Sequence, residues 1–127
     1  MVDQSIPSIN VLGEPLELCC RDPMTGFYRD GFCNTGDSDA GVHTVCASVT
    51  QTFLERSAIA GNDLMTPRPQ FNFPGLAEGD QWCLCAMRWQ QAEAQGYAPR
   101  VYLRRTHLKT LDIIPLETLK AYALDLS

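Results

Sequence analysis

The stretch from residue 41 to residue 50 constrains the fold more than any other part of the chain. It is mostly apolar, rich in β-branched residues, and carries His43 and Cys46. Such a run is typical of a buried β-strand. A second short strand is predicted at residues 82–87, which contain two more cysteines. These two strands are expected to form the centre of a small sheet.

The remaining periodicities predict further short strands and two or three helices. Strands are predicted at residues 16–20, on both sides of the turn Asp30-Gly31, and at residues 101–105. Helices are predicted at residues 51–60, at residues 88–95 and from Pro115 onward. The sequence therefore predicts an α+β fold, with two or three helices packed on a small mixed sheet of about five short strands.

The length of 127 residues suits one domain with a core of its own. Residues 1–10 are polar and without a period, so we expect a frayed N-terminus. The single domain is accordingly assigned to residues 11–127.

The net charge of −5 argues against partners with anionic surfaces. Ten lysines and arginines stand against fifteen aspartates and glutamates, so nothing favours phosphate backbones or anionic lipids. We expect no nucleic-acid partner and no membrane partner. A small molecule or a metal stays open, as does the oligomeric state. The first residues lack the pattern of a secretory signal, which predicts a cytoplasmic location.

The chain has six cysteines. In a cytoplasmic protein they are more plausible as thiols, metal ligands or catalytic groups than as a disulfide framework. Cys83 and Cys85 lie too far apart in a strand to bridge, and the adjacent Cys19 and Cys20 point apart. The sequence therefore predicts reduced cysteines.

One hypothesis for these thiols is a metal site. Cys46, Cys83 and Cys85 lie on two strands that are expected to be neighbours, and three thiols in one pocket suit zinc. His107 or His43 would supply a nitrogen ligand. If the first strand is extended throughout, His43 points to the face opposite Cys46, so one metal cannot take both.

A second hypothesis is catalysis by one thiol acting on a small molecule. Cys46 is the best candidate, with Cys33 as an alternative, because Cys46 precedes a predicted helix whose N-terminus would favour a thiolate. His43 or His107 would act as the base, with Asp39 or Asp63 orienting it. The spacing matches no known local signature.

The segment from residue 61 to residue 80 is a long loop punctuated by proline and glycine. Loops of this length in small domains commonly have a function. Asn62 and Asp63 are its candidate ligand-binding residues, and hydrogen bonds within turns are the alternative. Arg88 is a candidate anion ligand, with an ion pair to Asp80 or Glu93 as its alternative.

Two functions stay open at this point. The first is a ligand- or metal-binding domain whose pocket is formed by His43, Cys46, Cys83 and Cys85 and walled by the 61–80 loop. The second is a cysteine-dependent enzyme acting on a small molecule. A third interpretation treats the cysteines simply as small apolar core residues, with binding in the loop.

The chain also resembles a family of small bacterial proteins defined as a domain of unknown function. The likeness runs from about Leu12 to Ala123. It rests on several motifs, among them Asp22-Pro23, Thr25-Gly26-Phe27-Tyr28-Arg29-Asp30-Gly31, His43-Thr44-Val45-Cys46, Gly61-Asn62-Asp63-Leu64, Phe73-Pro74-Gly75-Leu76, Trp82-Cys83-Leu84-Cys85 and Thr106-His107. The resemblance implies a single-domain cytosolic protein and assigns no activity, cofactor or catalytic residue. Cys20 departs from the family pattern.

Overall fold

The computed structural model describes residues 7–125, and its sheet has three strands. They are β1 (His43–Ser48), β2 (Gln81–Cys85) and β3 (Arg100–Val101). The order is β2-β1-β3, and β1 pairs antiparallel with both neighbours. The α+β class is confirmed, but the prediction of about five strands is wrong.

The missing strands lie in the N-terminal third, where the chain turns too often to pair along a sheet. Residues 16–20 and 27–33 form turns and irregular structure, with positive φ at Gly26, Arg29 and Gly31. Cys19 and Cys33 in this part of the chain pack against Cys46 and Cys83 of the sheet without extending it. The predicted strand at residues 101–105 ends after Val101, and a 3₁₀ turn begins at Leu103.

Three helices pack on the sheet: α1 (Gln51–Ile59), α2 (Ala86–Ala94) and α3 (Leu116–Ala121). Thr50 caps α1 as predicted, because its hydroxyl accepts a hydrogen bond from the Phe53 N–H at 3.0 Å. Short 3₁₀ turns occur at Pro69–Phe71, Leu103–Arg105 and Leu108–Asp112. Among the described helices, none is long and apolar enough to cross a membrane.

The two faces of the sheet have different chemistry. Val45 and Ala47 of β1 lie opposite Leu84 and Trp82 of β2, and all four belong to the apolar core under the helices. On the other face, Cys46 lies opposite Cys83 and packs with two further cysteines. The alternation of side chains along each strand thus separates a hydrocarbon core from a layer of sulfur.

The N-terminal segment is held to the residues around His107, with an antiparallel bridge between Asn10 and His107. Residues 1–6 of the predicted frayed end lie outside the described residues. Asn10 is fully buried, and its side-chain carbonyl accepts hydrogen bonds from the N–H groups of Leu12 and Glu14. The His107 ring holds the same segment by donating from Nε2 to the Pro7 carbonyl at 2.8 Å.

Candidate functional site

Two disulfides link the N-terminal segment to the sheet. Cys19 bonds to Cys46, and Cys33 bonds to Cys83, with Cα–Cα distances of 5.8 and 5.3 Å. Both distances lie in the range that disulfides require. The prediction that these cysteines are reduced is therefore wrong. The expectation that Cys83 would not bridge to Cys85, nor Cys19 to Cys20, agrees with the pairing seen.

The predicted zinc ligands do not assemble into a metal site. Cys46 and Cys83 are register partners, as expected, but each sulfur is bonded to another cysteine. His107 uses both ring nitrogens, because Nδ1 also accepts from the Lys109 N–H at 3.0 Å. Burial lowers the pKa of His107, the positive charge of Lys109 lowers it further, and the hydrogen bond to Pro7 opposes both. His107 is thus a neutral structural residue.

The sulfur atoms of Cys19, Cys33 and Cys46 lie within 4.8 Å of one another. That spacing would let three thiolates share one metal ion. All three are disulfide-bonded here, and a disulfide sulfur carries no thiolate charge. The cluster in its oxidised form therefore serves to cross-link the fold.

Cys20 and Cys85 are the free cysteines of the described residues, and both are half-buried. Cys85 is the last residue of β2 and also the N-cap of α2, because the helix begins at Ala86 without an intervening loop. The first N–H groups of a helix have no acceptor within the helix. The N-cap position of Cys85 therefore lies at the positive end of the helix dipole.

A bulge in β1 places His43 opposite Cys85. Cys46 pairs with Cys83 and Val45 with Leu84, but the next pair joins His43 to Cys85, leaving Thr44 as an extra residue. The prediction that His43 and Cys46 face opposite sides assumed a regular strand, and the bulge cancels that parity. Directly opposed residues in an antiparallel pair have Cα atoms about 4.5–5.5 Å apart. His43 and Cys85 are therefore neighbours across the two strands.

Asp39 holds the His43 ring. Its Oδ1 lies 2.6 Å from Nδ1 of the ring, while Oδ2 accepts from the His43 backbone N–H at 2.9 Å and from the Thr35 hydroxyl at 2.9 Å. The Asp39 side chain is fully buried, whereas 40% of the His43 side chain is exposed. A carboxylate on Nδ1 fixes the tautomer in which Nε2 is unprotonated and able to accept a proton.

The pKa of Asp39 lies below its ordinary value. Burial alone would raise this pKa, but the hydrogen bonds from the ring and backbone of His43, the attraction to the imidazole and the bond from Thr35 outweigh burial. Asp39 is therefore ionised across the neutral range. The predicted contact between His43 and Asp39 is present.

Gly41 and Phe27 fix the position of the imidazole from either side. The Phe27 ring stacks on it with centroids 6.2 Å apart. A Cβ atom on Gly41 would lie only 2.5 Å from Cε1 of the His43 ring, so no larger residue fits without displacing the ring. Among the described residues no hydrogen bond joins the imidazole to the Cys85 thiol. In enzymes without substrate such contacts are commonly loose.

His43 and Cys85 line a cavity of about 540 Å³. This volume is within the range of small-molecule sites. Its apolar walls include the aromatic residues Phe27, Phe71, Phe73 and Trp82. Its polar lining comes from Arg29, His43, Asn62, Asp63, Arg68 and Cys85. The cavity can therefore hold a small molecule with both an aromatic or apolar part and a polar part.

The 61–80 loop forms one wall, as the sequence predicts. Phe73 packs edge-on against Trp82 with centroids 5.1 Å apart, and Leu76 is buried, so both anchor the loop. Phe71 stays exposed at the rim. The Asp63 carboxylate accepts hydrogen bonds from Met65 and Thr66 of its own turn.

Other predicted site residues lie elsewhere. Cys46 is fully buried in its disulfide and does not line the cavity, so it cannot be the nucleophile in this state. Arg88 points away as well: its Nη1 donates to the Ala60 carbonyl and to the Gln91 side chain. The ion pair expected for Arg88 is not formed among the described residues. Arg29 and Phe27 were missed as cavity residues, although their motif had been noted.

The model of a family described as uncharacterized protein conserved in bacteria (DUF2237) matches residues 9–123. The chain belongs to this family. No curated protein matches the sequence. The matched range contains Asp39, His43 and Cys85 together with both disulfides.

Proposed function

We propose that this protein is a cysteine-dependent enzyme acting on a small molecule, with Cys85 as the nucleophile and His43 as its base. The observation that carries the proposal is that Cys85, with a free thiol, is the register partner of His43 and lines the same cavity, while the His43 ring is bound to a buried carboxylate. Nucleophile, base and orienting group are the three parts that thiol catalysis needs.

The reaction that suits these groups is acyl transfer. Nε2 of His43 takes the thiol proton while Sγ of Cys85 attacks a substrate carbonyl carbon, forming a thioester and breaking the bond to the leaving group. The imidazolium returns the proton to the departing group. Water then cleaves the thioester with His43 as base, releasing a carboxylic acid and the free thiol. Asp39 stays ionised throughout and stabilises the imidazolium.

The same geometry supports an enzyme better than a metal-binding domain. The sulfur of Cys83 is bonded to Cys33, which leaves Cys85 as a single thiol ligand beside one imidazole. Structural zinc sites commonly have four ligands. A lone thiol at a helix N-terminus with an oriented base is suited instead to nucleophilic attack.

Alkylation by iodoacetamide tests this proposal inside one molecule, because Cys20 is a free cysteine of similar exposure without a histidine partner among the described residues. We expect Cys85 to be labelled at neutral pH at least about 10-fold faster than Cys20, since a thiol with a base beside it is a stronger nucleophile than one without. Mass spectrometry of peptides from unreduced protein measures the two rates separately.

His43→Gln is the matched variant. It keeps a polar side chain of similar length and removes the base, so the Cys85 rate should fall toward that of Cys20 while the Cys20 rate stays constant. Equal labelling of the two cysteines in the unmodified protein would contradict the proposal. So would a Cys85 rate that His43→Gln leaves unchanged.

A further inference from the structure

Arg29 lies in the cavity wall as a cation without a carboxylate partner among the described residues. Its Nη1 donates to the Gly26 carbonyl at 2.6 Å and its Nη2 to the Phe71 carbonyl at 3.0 Å. The guanidinium carbon lies 5.2 Å from the centroid of the Trp82 ring. Neutral carbonyls and an aromatic face orient the positive charge but do not neutralise it.

Some N–H donors of Arg29 also lack a hydrogen-bond partner among the described residues. A guanidinium has five N–H donors, and carbonyls of the chain occupy two of them. Nε is buried and has no hydrogen-bond partner. Burial lowers the pKa of Arg29, which means that its charged form lacks stabilisation from water. An anion in the cavity would supply the missing counter-charge.

The other charged lining residues leave the cavity with an excess of positive charge. Arg68 is the second arginine, and Asp63 is the one carboxylate among the lining residues described. The Asp63 oxygens are already occupied by its own turn, and Arg68 helps to lower its pKa. Asp63 therefore offsets Arg68, and no carboxylate among the described lining residues opposes Arg29, because the ionised Asp39 binds His43 and does not line the cavity. This local excess stands out in a chain whose net charge is −5.

We infer that the substrate of Cys85 is a small organic carboxylate, whose anionic group binds Arg29 while its electrophilic carbon faces the thiol. The inference rests on the proposed function and deepens it. A charge-assisted hydrogen bond to a guanidinium fixes both the position and the orientation of a carboxylate. The aromatic side chains Phe27 and Trp82 would pack against the apolar part of the same molecule.

Iodoacetate and iodoacetamide provide the test, because they share one electrophilic carbon and differ in charge. The measured quantity is the rate with iodoacetate divided by the rate with iodoacetamide, taken separately for Cys85 and Cys20 in the same unreduced protein. We expect this ratio to be about 10-fold higher at Cys85, the factor that corresponds to about 1.4 kcal/mol. Added sodium chloride should reduce the difference in the unmodified chain.

Arg29→Gln should bring the Cys85 ratio down to that of Cys20 while its iodoacetamide rate stays above that of Cys20. Arg56→Gln removes an equal charge from an exposed position outside the cavity and should leave the ratio unchanged. If Cys85 reacts rapidly with iodoacetamide but its iodoacetate-to-iodoacetamide rate ratio equals that of Cys20, the carboxylate inference is overturned and the enzyme proposal stands. A Cys85 slow with both reagents would overturn both.

Discussion

Replacing Cys33 and Cys83 together by alanine is expected to lower the free energy of unfolding by about 4 kcal/mol. The bond joins cysteines with a sequence separation of 50 residues. Removing a cross-link of this length raises the conformational entropy of the unfolded chain, and this accounts for the expected loss of free energy. Domains of this size are stable by only about 5–15 kcal/mol, so the loss is large. The segment that this bond ties to β2 carries Phe27 and Arg29, hence the cavity wall should loosen as well.

Urea unfolding of unreduced protein measures this effect. Cys20→Ala is the matched control, because Cys20 is free and half-buried, and its unfolding midpoint should change little. A reducing agent added to the unmodified chain should reproduce the loss and add that of the Cys19–Cys46 bond. An unfolding midpoint that neither reduction nor the double substitution shifts would show that the disulfides do not stabilise the fold.

Replacing Asp39 by asparagine is expected to slow alkylation of Cys85 by about 10-fold or more, and to destabilise the fold by about 1–3 kcal/mol. The buried carboxylate accepts three hydrogen bonds, from the His43 ring, the His43 backbone and Thr35. An amide turns one acceptor into a donor, so the ring loses its fixed tautomer. Asp37→Asn is the control, since Asp37 is exposed in the same loop.

The lowered pKa of Asp39 adds a dependence on pH to this prediction. The folded state favours the carboxylate, so Asp39 stabilises the protein above its ordinary pKa, and this contribution is lost as the pH falls through the lower folded value. Below about pH 4 the unmodified chain should therefore lose more stability than Asp39→Asn as the pH falls. Parallel acid-unfolding curves for the two proteins would contradict the role assigned to this carboxylate.

Local patterns in the sequence were sufficient to predict the central strand and the first helix. The β-branched run became β1, and Thr50 caps α1 where the sequence put it. Both signals depend on residues within one short window. The prediction of N-terminal strands was wrong because alternation of apolar residues also fits an irregular segment that is cross-linked to a sheet. In this segment, covalent bonds to Cys46 and Cys83 replace strand pairing.

The proposed nucleophile, Cys85, differs from the cysteine that the sequence favoured for a related reason. The sequence favoured Cys46 because this residue precedes a helix. Residues 47–50 separate Cys46 from the first residue of α1, however, and the Cys46 sulfur is bonded to Cys19. The signal for Cys85 was present. Ala86, Met87 and Arg88 are all good helix formers, so the second strand could have been ended at Cys85.

The position of His43 depends on distant contacts that no local pattern contains. Its approach to Cys85 requires the bulge at Thr44, whose carbonyl accepts from the His107 N–H and whose hydroxyl accepts from Thr110. These partners lie more than sixty residues away in the chain, as the separation of 66 between Thr44 and Thr110 illustrates. Parity along a regular strand therefore does not apply at this end of β1.

The disulfides also join residues that are far apart in the sequence, which local patterns do not predict. Spacing correctly excluded bridges between nearby cysteines. The two bonds that form instead join cysteines separated in the sequence by 27 and by 50 positions. The prediction of reduced thiols came from an expected compartment and from the geometry of cysteines that are close in the sequence. The cytoplasmic location itself stays a prediction.

Trapping of an acyl group on Cys85 tests the central claim most directly. Unreduced protein mixed with p-nitrophenyl acetate should release a rapid burst of nitrophenolate equal to one per chain, and mass spectrometry should find the acetyl group on Cys85. Cys85→Ser and His43→Gln should abolish the burst, whereas Cys20→Ser should retain it. Acetylation that is slow, or spread equally over Cys20 and Cys85, would contradict the account.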